Sequence, residues 1–253
     1  MADLQNCYCQ IHEILRGEIE PIESVFLVER YRQYWRPDKV KVVLLAESHV
    51  FTNDEDRRIL LQQTATEPLP DYPQQYAKFV YCLAYGERAL TADSRHPPRD
   101  GTPQFWKIFY SCCNYVSNHD DFRPILKKTQ FTERISNKVE LLKKLKKRGI
   151  WLVDASIVAL YDKSNKPSQL GRIIRKSWDG WVRRVVEETH PDYLICVGSG
   201  VNNILQNDLN ALLGSRHCTI PQPQARIPSR EQIRNFQKYY YVCQQYAPFN
   251  DRD

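Results

Sequence analysis

The chain has 253 residues, enough for one large domain or two small ones with a sizeable core, and 42% of them are hydrophobic, as in a globular protein. No stretch reaches the ~18 uninterrupted apolar residues of a membrane span. The N-terminal MADLQNCYCQIHEILRGEIE carries acids and no long apolar core, so a cytoplasmic protein without a secretory signal is expected. A formal net charge of +6 permits a polyanionic partner without identifying one. The eight cysteines include no C-x-x-C pair, which argues against a zinc ribbon or an iron–sulfur cluster. Reduced thiols, no metal and no cofactor are therefore expected.

In chain order, a helix is predicted over Leu4 to Arg16 and another ahead of Trp35. Val40 to Leu45, rich in Val and Leu, reads as a strand covered on both faces. Residues 74 to 90 look helical, DSRHPPRDG (93 to 101) is a loop by its Pro and Gly, and Gln104 to Tyr115 is helical and aromatic-rich. Thr132 is the expected N-cap of a helix running to Arg148, with cations in its last turn and Gly149 just past its end. IWLVDASIVALY (150 to 161) supplies a second buried strand, and 168 to 189 an amphipathic helix. DYLICVGSG (192 to 200) is a third strand, followed by a helix over Val201 to Leu213. HCTIPQPQAR (217 to 226) is a short strand entering a Pro-rich loop, and 229 to 246 a final helix.

Strands alternating with helices imply parallel βαβ units. The expected fold class is α/β: a single three-layer α/β/α domain, 1 to 253, around a mostly parallel four-stranded sheet. Its core covers about 40 to 226, with helical additions at both ends. Cations concentrate in KKLKKR (143 to 148), RIIRKSWDGWVRR (172 to 184) and the segment 216 to 234. The first reads as a solvated helix face, and the Trp178/Trp181 pair as core packing in preference to a base-stacking platform.

Parallel strands bring their carboxyl ends to one edge, where open α/β sheets bind ligands. The four ends are Glu47-Ser48-His49, Asp154-Ala155-Ser156, Gly198-Ser199-Gly200 and Pro221-Gln222-Pro223-Gln224. The P-loop pattern G-x-x-x-x-G-K-[ST], a G-x-G-x-x-G after a strand and the elbow G-x-S-x-G are all absent. A P-loop nucleotidase, a dinucleotide enzyme and an α/β-hydrolase are correspondingly disfavoured.

The order of these ends resembles the uracil-DNA glycosylase superfamily. There the first strand enters a water-activating loop written GQDPY, GEAPG or GINPG, and here the corresponding stretch is Ala46-Glu47-Ser48-His49-Val50. GIWLVDASIVAL is similar to the family's GVLLLNTVLTV, which places Asp154 where an Asn reads the flipped base. YLICVGSGVNNIL resembles the third strand and its following helix, GTPQFWKIF the Pro-rich loop leading into a helix, and IPQPQAR the final HPSPLS-type loop that enters the minor groove. The likeness runs from about Val40 to Arg226. It implies an enzyme acting on DNA; the expected partner is double-stranded DNA, phage DNA included, with a monomeric protein, no membrane and no cofactor.

Departures from the family pattern shape the expected chemistry. Ile220 stands where several branches carry a base-stabilising histidine, and Glu47 matches the Glu of GEAPG. Glu47, His49 and Asp154 are the catalytic candidates, with Glu47 orienting water and Asp54 and His49 in reserve. Ser48, Val50, Phe51 and Asp154 are the base-binding candidates; Phe51, Phe79, Tyr81 and Phe105 could each stack on the base. Ser199, Gln222, Gln224 and Arg226 are the DNA-contacting candidates, Arg226 for a phosphate or the gap left by the base.

An Asn amide can accept and donate, whereas an ionised Asp only accepts. Uracil O4 would face a second acceptor, a costly mismatch in a dry pocket, while the cytosine N4 amine offers a donor. A protonated Asp could instead donate to cytosine N3. Val50, where some relatives hold a Tyr, leaves room for a substituent on C5. A glycosylase acting on 5-modified cytosine, hydroxymethylated or glycosylated as in phage DNA, is therefore expected, with an antiviral role. The alternatives are a uracil-excising repair enzyme, a catalytically inactive nucleic-acid-binding module of the same fold, and a small-molecule hydrolase using Glu47, His49 and Asp154.

Overall fold

The computed structural model describes residues 2–15, 19–62, 69–92, 103–160, 167–223 and 227–249. Four strands form one sheet: β1 (Val42–Ala46), β2 (Ile150–Asp154), β3 (Tyr193–Val197) and β4 (His217–Ile220). Their order is β2-β1-β3-β4 and every pairing is parallel. β1 and β2 are buried along their whole length and β3 nearly so, which is why they read as unbroken apolar runs and not as alternation.

The helices are α1 (Ala2–Leu15), α2 (Ile22–Tyr34), the short α3 (Asp54–Arg58), α4 (Phe105–Cys113), α5 (Phe131–Arg148), α6 (Pro167–Ser177), α7 (Arg183–Thr189), α8 (Ser199–Leu213) and α9 (Ser229–Tyr246). α4 packs on both α5 and α9, while α6 packs on both α1 and α8. These two groups are the outer layers of a three-layer α/β/α fold. α6 runs into α7 through a π-helical turn, Trp178–Val182, in which Trp178 is buried. No described helix is long and apolar enough to cross a membrane.

Two local devices align the layers. α5 ends on Gly149 at φ 83°, and β2 begins at the next residue. A Cβ at position 149 would stand 2.6 Å from the carbonyl oxygen of Lys39, so only glycine passes there. Arg148 is buried beside it and donates to the carbonyls of Cys112 (2.7 Å), Cys243 (2.9 Å) and Ala247 (2.7 Å). One guanidinium thus satisfies carbonyls at the ends of both α4 and α9.

The structure corrects three expectations. Residues 74 to 90 are not a helix: apart from a 3₁₀ turn at Arg88–Leu90 the segment is irregular, clasped by antiparallel bridges Leu60–Gln75 and Leu61–Thr91. Its side chains from Phe79 to Ala84 are all buried, so no solvent face exists for an amphipathic helix. Tyrosine hydroxyls satisfy the backbone instead: Tyr72 bonds Tyr81 O and Leu83 N, and Tyr31 bonds Pro73 O and Gln75 O. The second strand stops at Asp154 and does not reach 161. The amides of Ile157, Ala159 and Leu160 are taken by the side chains of Ser177, Glu20 and Ser48. The cap of α5 is Gln130, whose side chain accepts from Glu133 N, and not Thr132. The expected loop at 93 to 101 lies outside the described residues.

Candidate active site

β1 pairs with β2 on one side and β3 on the other, so the chain reverses its direction of sheet building at β1. Clefts form beyond the carboxyl ends at such a switch point. The β1–β2 ladder continues past the strands, with Ala155 N bonded to Ala46 O (2.7 Å) and Ser156 N to Glu47 O (3.0 Å). This brings Glu47 and Asp154 to the same edge.

The loop after β1 is held from two directions. Buried Thr52 accepts from Lys78 N through Oγ1 (2.9 Å), its carbonyl accepts from Ser24 Oγ (2.7 Å), and Val50 N bonds Lys78 O (3.2 Å). Behind the loop runs a chain of buried charges. His49 Nε2 lies 2.6 Å from Glu20 Oε1, and its Nδ1 lies 3.3 Å from Asp154 Oδ2. Arg32 Nη2 donates to the same Asp154 oxygen at 2.8 Å, and Arg32 Nη1 to Glu29. Arg32 Nε is sealed without a partner. Burial pushes the His49 imidazole down, but Glu20 and Asp154 on either side more than offset it and hold it up to about 9. His49 is therefore a fixed imidazolium with both nitrogens engaged, not a free base.

In front of this chain opens a cavity of about 230 Å³, whose walls include Glu47, His49, Phe79, Phe105, Asp154 and Gln222. A cavity near 150 Å³ accepts benzene, so this one holds a six-membered ring with room for a substituent. Gln222 Nε2 donates to Glu47 Oε2 at 3.3 Å, and Phe79 meets His49 edge-on with ring centres 6.2 Å apart. Arg32 stands 5.4 Å from the centre of the Phe79 ring.

Of the residues singled out by sequence, the cavity gathers Glu47, Ser48, His49, Val50, Asp154 and Gln222. Val50, 45% exposed, is the most open of them. Ser48 Oγ is turned to structural use, accepting from Leu160 N at 3.2 Å. Phe51 and Ser199 are not among the lining residues, and Asp54 pairs with Arg57 on α3. Gln224 and Arg226 lie outside the described residues. Ile220, at the end of β4, is buried in the sheet. Of the stacking candidates, Phe79 and Phe105 line the cavity, while Tyr81 packs beneath Phe79 and accepts from Leu152 N.

Glu20, Glu29 and Arg32 were not legible as site residues. They sit in or just before an N-terminal helix whose sequence carries no motif, and the site partners of Glu20 and Arg32 (His49, Ala159 and Asp154) lie far along the chain. Among the described residues no group of three or more His, Cys, Asp or Glu is placed to hold a metal. Compared with protein-family models, curated proteins and solved structures, the chain matches none.

Proposed function

We propose that the chain is a DNA glycosylase that captures an everted 5-modified cytosine, hydroxymethylated or glycosylated, and hydrolyses its N-glycosidic bond, with antiviral defence as its role. The observation that carries this reading is that Glu47 and Asp154, delivered by different strands, line one cavity together with Phe79. Phe79 and Phe105 supply aromatic surface for a planar base. Asp154, ion-paired to Arg32, offers acceptors that suit an N4 amine and oppose a uracil O4. Glu47, half-buried and bonded by Gln222, is placed to orient water and to stabilise an oxocarbenium-like sugar. The exposed Val50 leaves space for a C5 substituent.

Buried Ile220 favours a second reading, a DNA-binding module without chemistry, because no histidine stabilises a departing base there. Mass spectrometry of bases freed from duplexes holding uracil, cytosine or 5-modified cytosine separates the two. The expected product is the modified cytosine, and Glu47→Gln should lower its release by about 10²–10⁴-fold while leaving duplex binding intact. Preferential release of uracil would replace the cytosine assignment with repair. Duplex binding with no base released would leave the binding module.

A further inference from the structure

Arg32 belongs to α2, outside the stretch that resembles the glycosylases, yet its guanidinium backs the base-reading carboxylate. The hydrogen bonds of the buried acids can be followed oxygen by oxygen. Glu29 Oε1 accepts from Gln33 (2.6 Å) and Oε2 from Arg32. Glu20 Oε1 takes His49 and the amide of Ala159 (2.9 Å), and Oε2 the amide of Thr52 (3.5 Å). Asp154 Oδ2 takes both Arg32 and His49. No described residue donates to Asp154 Oδ1, and that atom is not among the polar atoms sealed off without a partner. Of the three described acids in this buried chain, Glu20, Glu29 and Asp154, it is the one oxygen left for a ligand, on a residue that lines the cavity.

We propose that Arg32 is a specificity-determining positioning residue. By bridging Glu29 and Asp154 with its fork, and by standing against the Phe79 ring, it fixes the plane of the Asp154 carboxylate. Both protein donors are thereby confined to Oδ2, and Oδ1 is turned over to the ligand as an acceptor. The cavity then takes a ring bearing an exocyclic amine and rejects the same ring bearing an oxo group. The identification of that ring as a nucleobase rests on the glycosylase reading above.

The test compares wild type, Arg32→Lys and Asp154→Asn. For each, release of 5-hydroxymethylcytosine and 5-hydroxymethyluracil from otherwise identical duplexes is measured, alongside calorimetric binding of the two free bases. Arg32→Lys keeps a cation in the buried pair, but one ammonium cannot span both acids as the fork does. Wild type should favour the amino base. The preference should shrink about tenfold in Arg32→Lys and reverse in Asp154→Asn. A merely structural Arg32 would lower both bases alike and leave the ratio untouched, and that result in a folded variant overturns the proposal. Should Arg32→Lys fail to fold, Glu29→Gln loosens the other end of the fork and must shift the ratio in the same direction. If free bases bind with the expected preference but no duplex releases one, the glycosylase reading falls and the role of Arg32 stands. If wild type binds neither base, both fall.

Discussion

His49 Nε2 and Glu20 Oε1 meet at 2.6 Å with both side chains fully shielded from solvent, which makes this contact a pH-dependent tie between the loop after β1 and the N-terminal helices. The imidazole titrates near 6.5 when unfolded and is held up to about 9 when folded. A raised value means that the stabilisation is complete below about pH 6.5, where both states are protonated, and declines as pH rises through about 9. The loss should be on the order of a few kcal/mol. Denaturant midpoints for wild type should therefore fall between about pH 6 and pH 9.5, and the fall should flatten in His49→Gln. Equal slopes in the two proteins would show that His49 does not carry the tie.

Gly198 and Gln222 are a second pair with a measurable consequence. Gly198 sits at φ +103°, and a Cβ there would lie 2.9 Å from Gln222 Cγ, the side chain whose amide donates to Glu47. Gly198→Ala should lose roughly 1–3 kcal/mol of stability from backbone strain and also displace Gln222. Gln222→Ala removes the bond to Glu47 without the strain. Both variants should slow base release, and only the glycine variant should lower the thermal midpoint. A Gly198→Ala protein as stable as wild type would contradict the strain.

The sheet was readable in the sequence because parallel strands buried on both faces need continuous apolar side chains, as in Val42–Ala46 and Ile150–Asp154. α9 matches its predicted span because Phe236, Tyr239 and Cys243 repeat at helical spacing behind Pro228. Residues 74 to 90 are not a helix because their middle, Phe79 to Ala84, is buried throughout, so its partners, and not its own periodicity, decide its path. The site was half legible. Strand ends announce Glu47 and Asp154, since fold topology alone brings them together. Nothing local announces Arg32 or Glu20, which are placed beside the cavity by ion pairs with Asp154 and His49, far away in sequence. Arg32 in VFLVERYRQY has the look of an ordinary surface cation, and only tertiary packing buries it.

Glu87 offers a contrast that separates stability from activity. It is buried, accepts from Arg134 Nε and Nη2 (2.9 Å each) and from Lys138 (2.6 Å), and has Lys127 at 3.3 Å. Burial pushes its carboxyl up, but Arg134, Lys138 and Lys127 outweigh this and hold it near 2. Glu87→Gln would leave the wholly buried Lys138 facing a neutral amide, a loss of about 3–5 kcal/mol by analogy with other broken buried pairs. None of these four residues lines the cavity that holds Glu47 and Asp154. The variant should therefore melt well below wild type yet release base at an undiminished rate wherever it is folded. Its acid sensitivity should change as well. A lowered carboxyl stabilises fully above about pH 4.5 and loses that contribution as pH falls toward 2, so wild type should lose stability over this range more steeply than Glu87→Gln. Thermal midpoints measured from pH 5 downward (about 5, 4 and 3) check this, and parallel slopes would assign the acid response to other carboxylates.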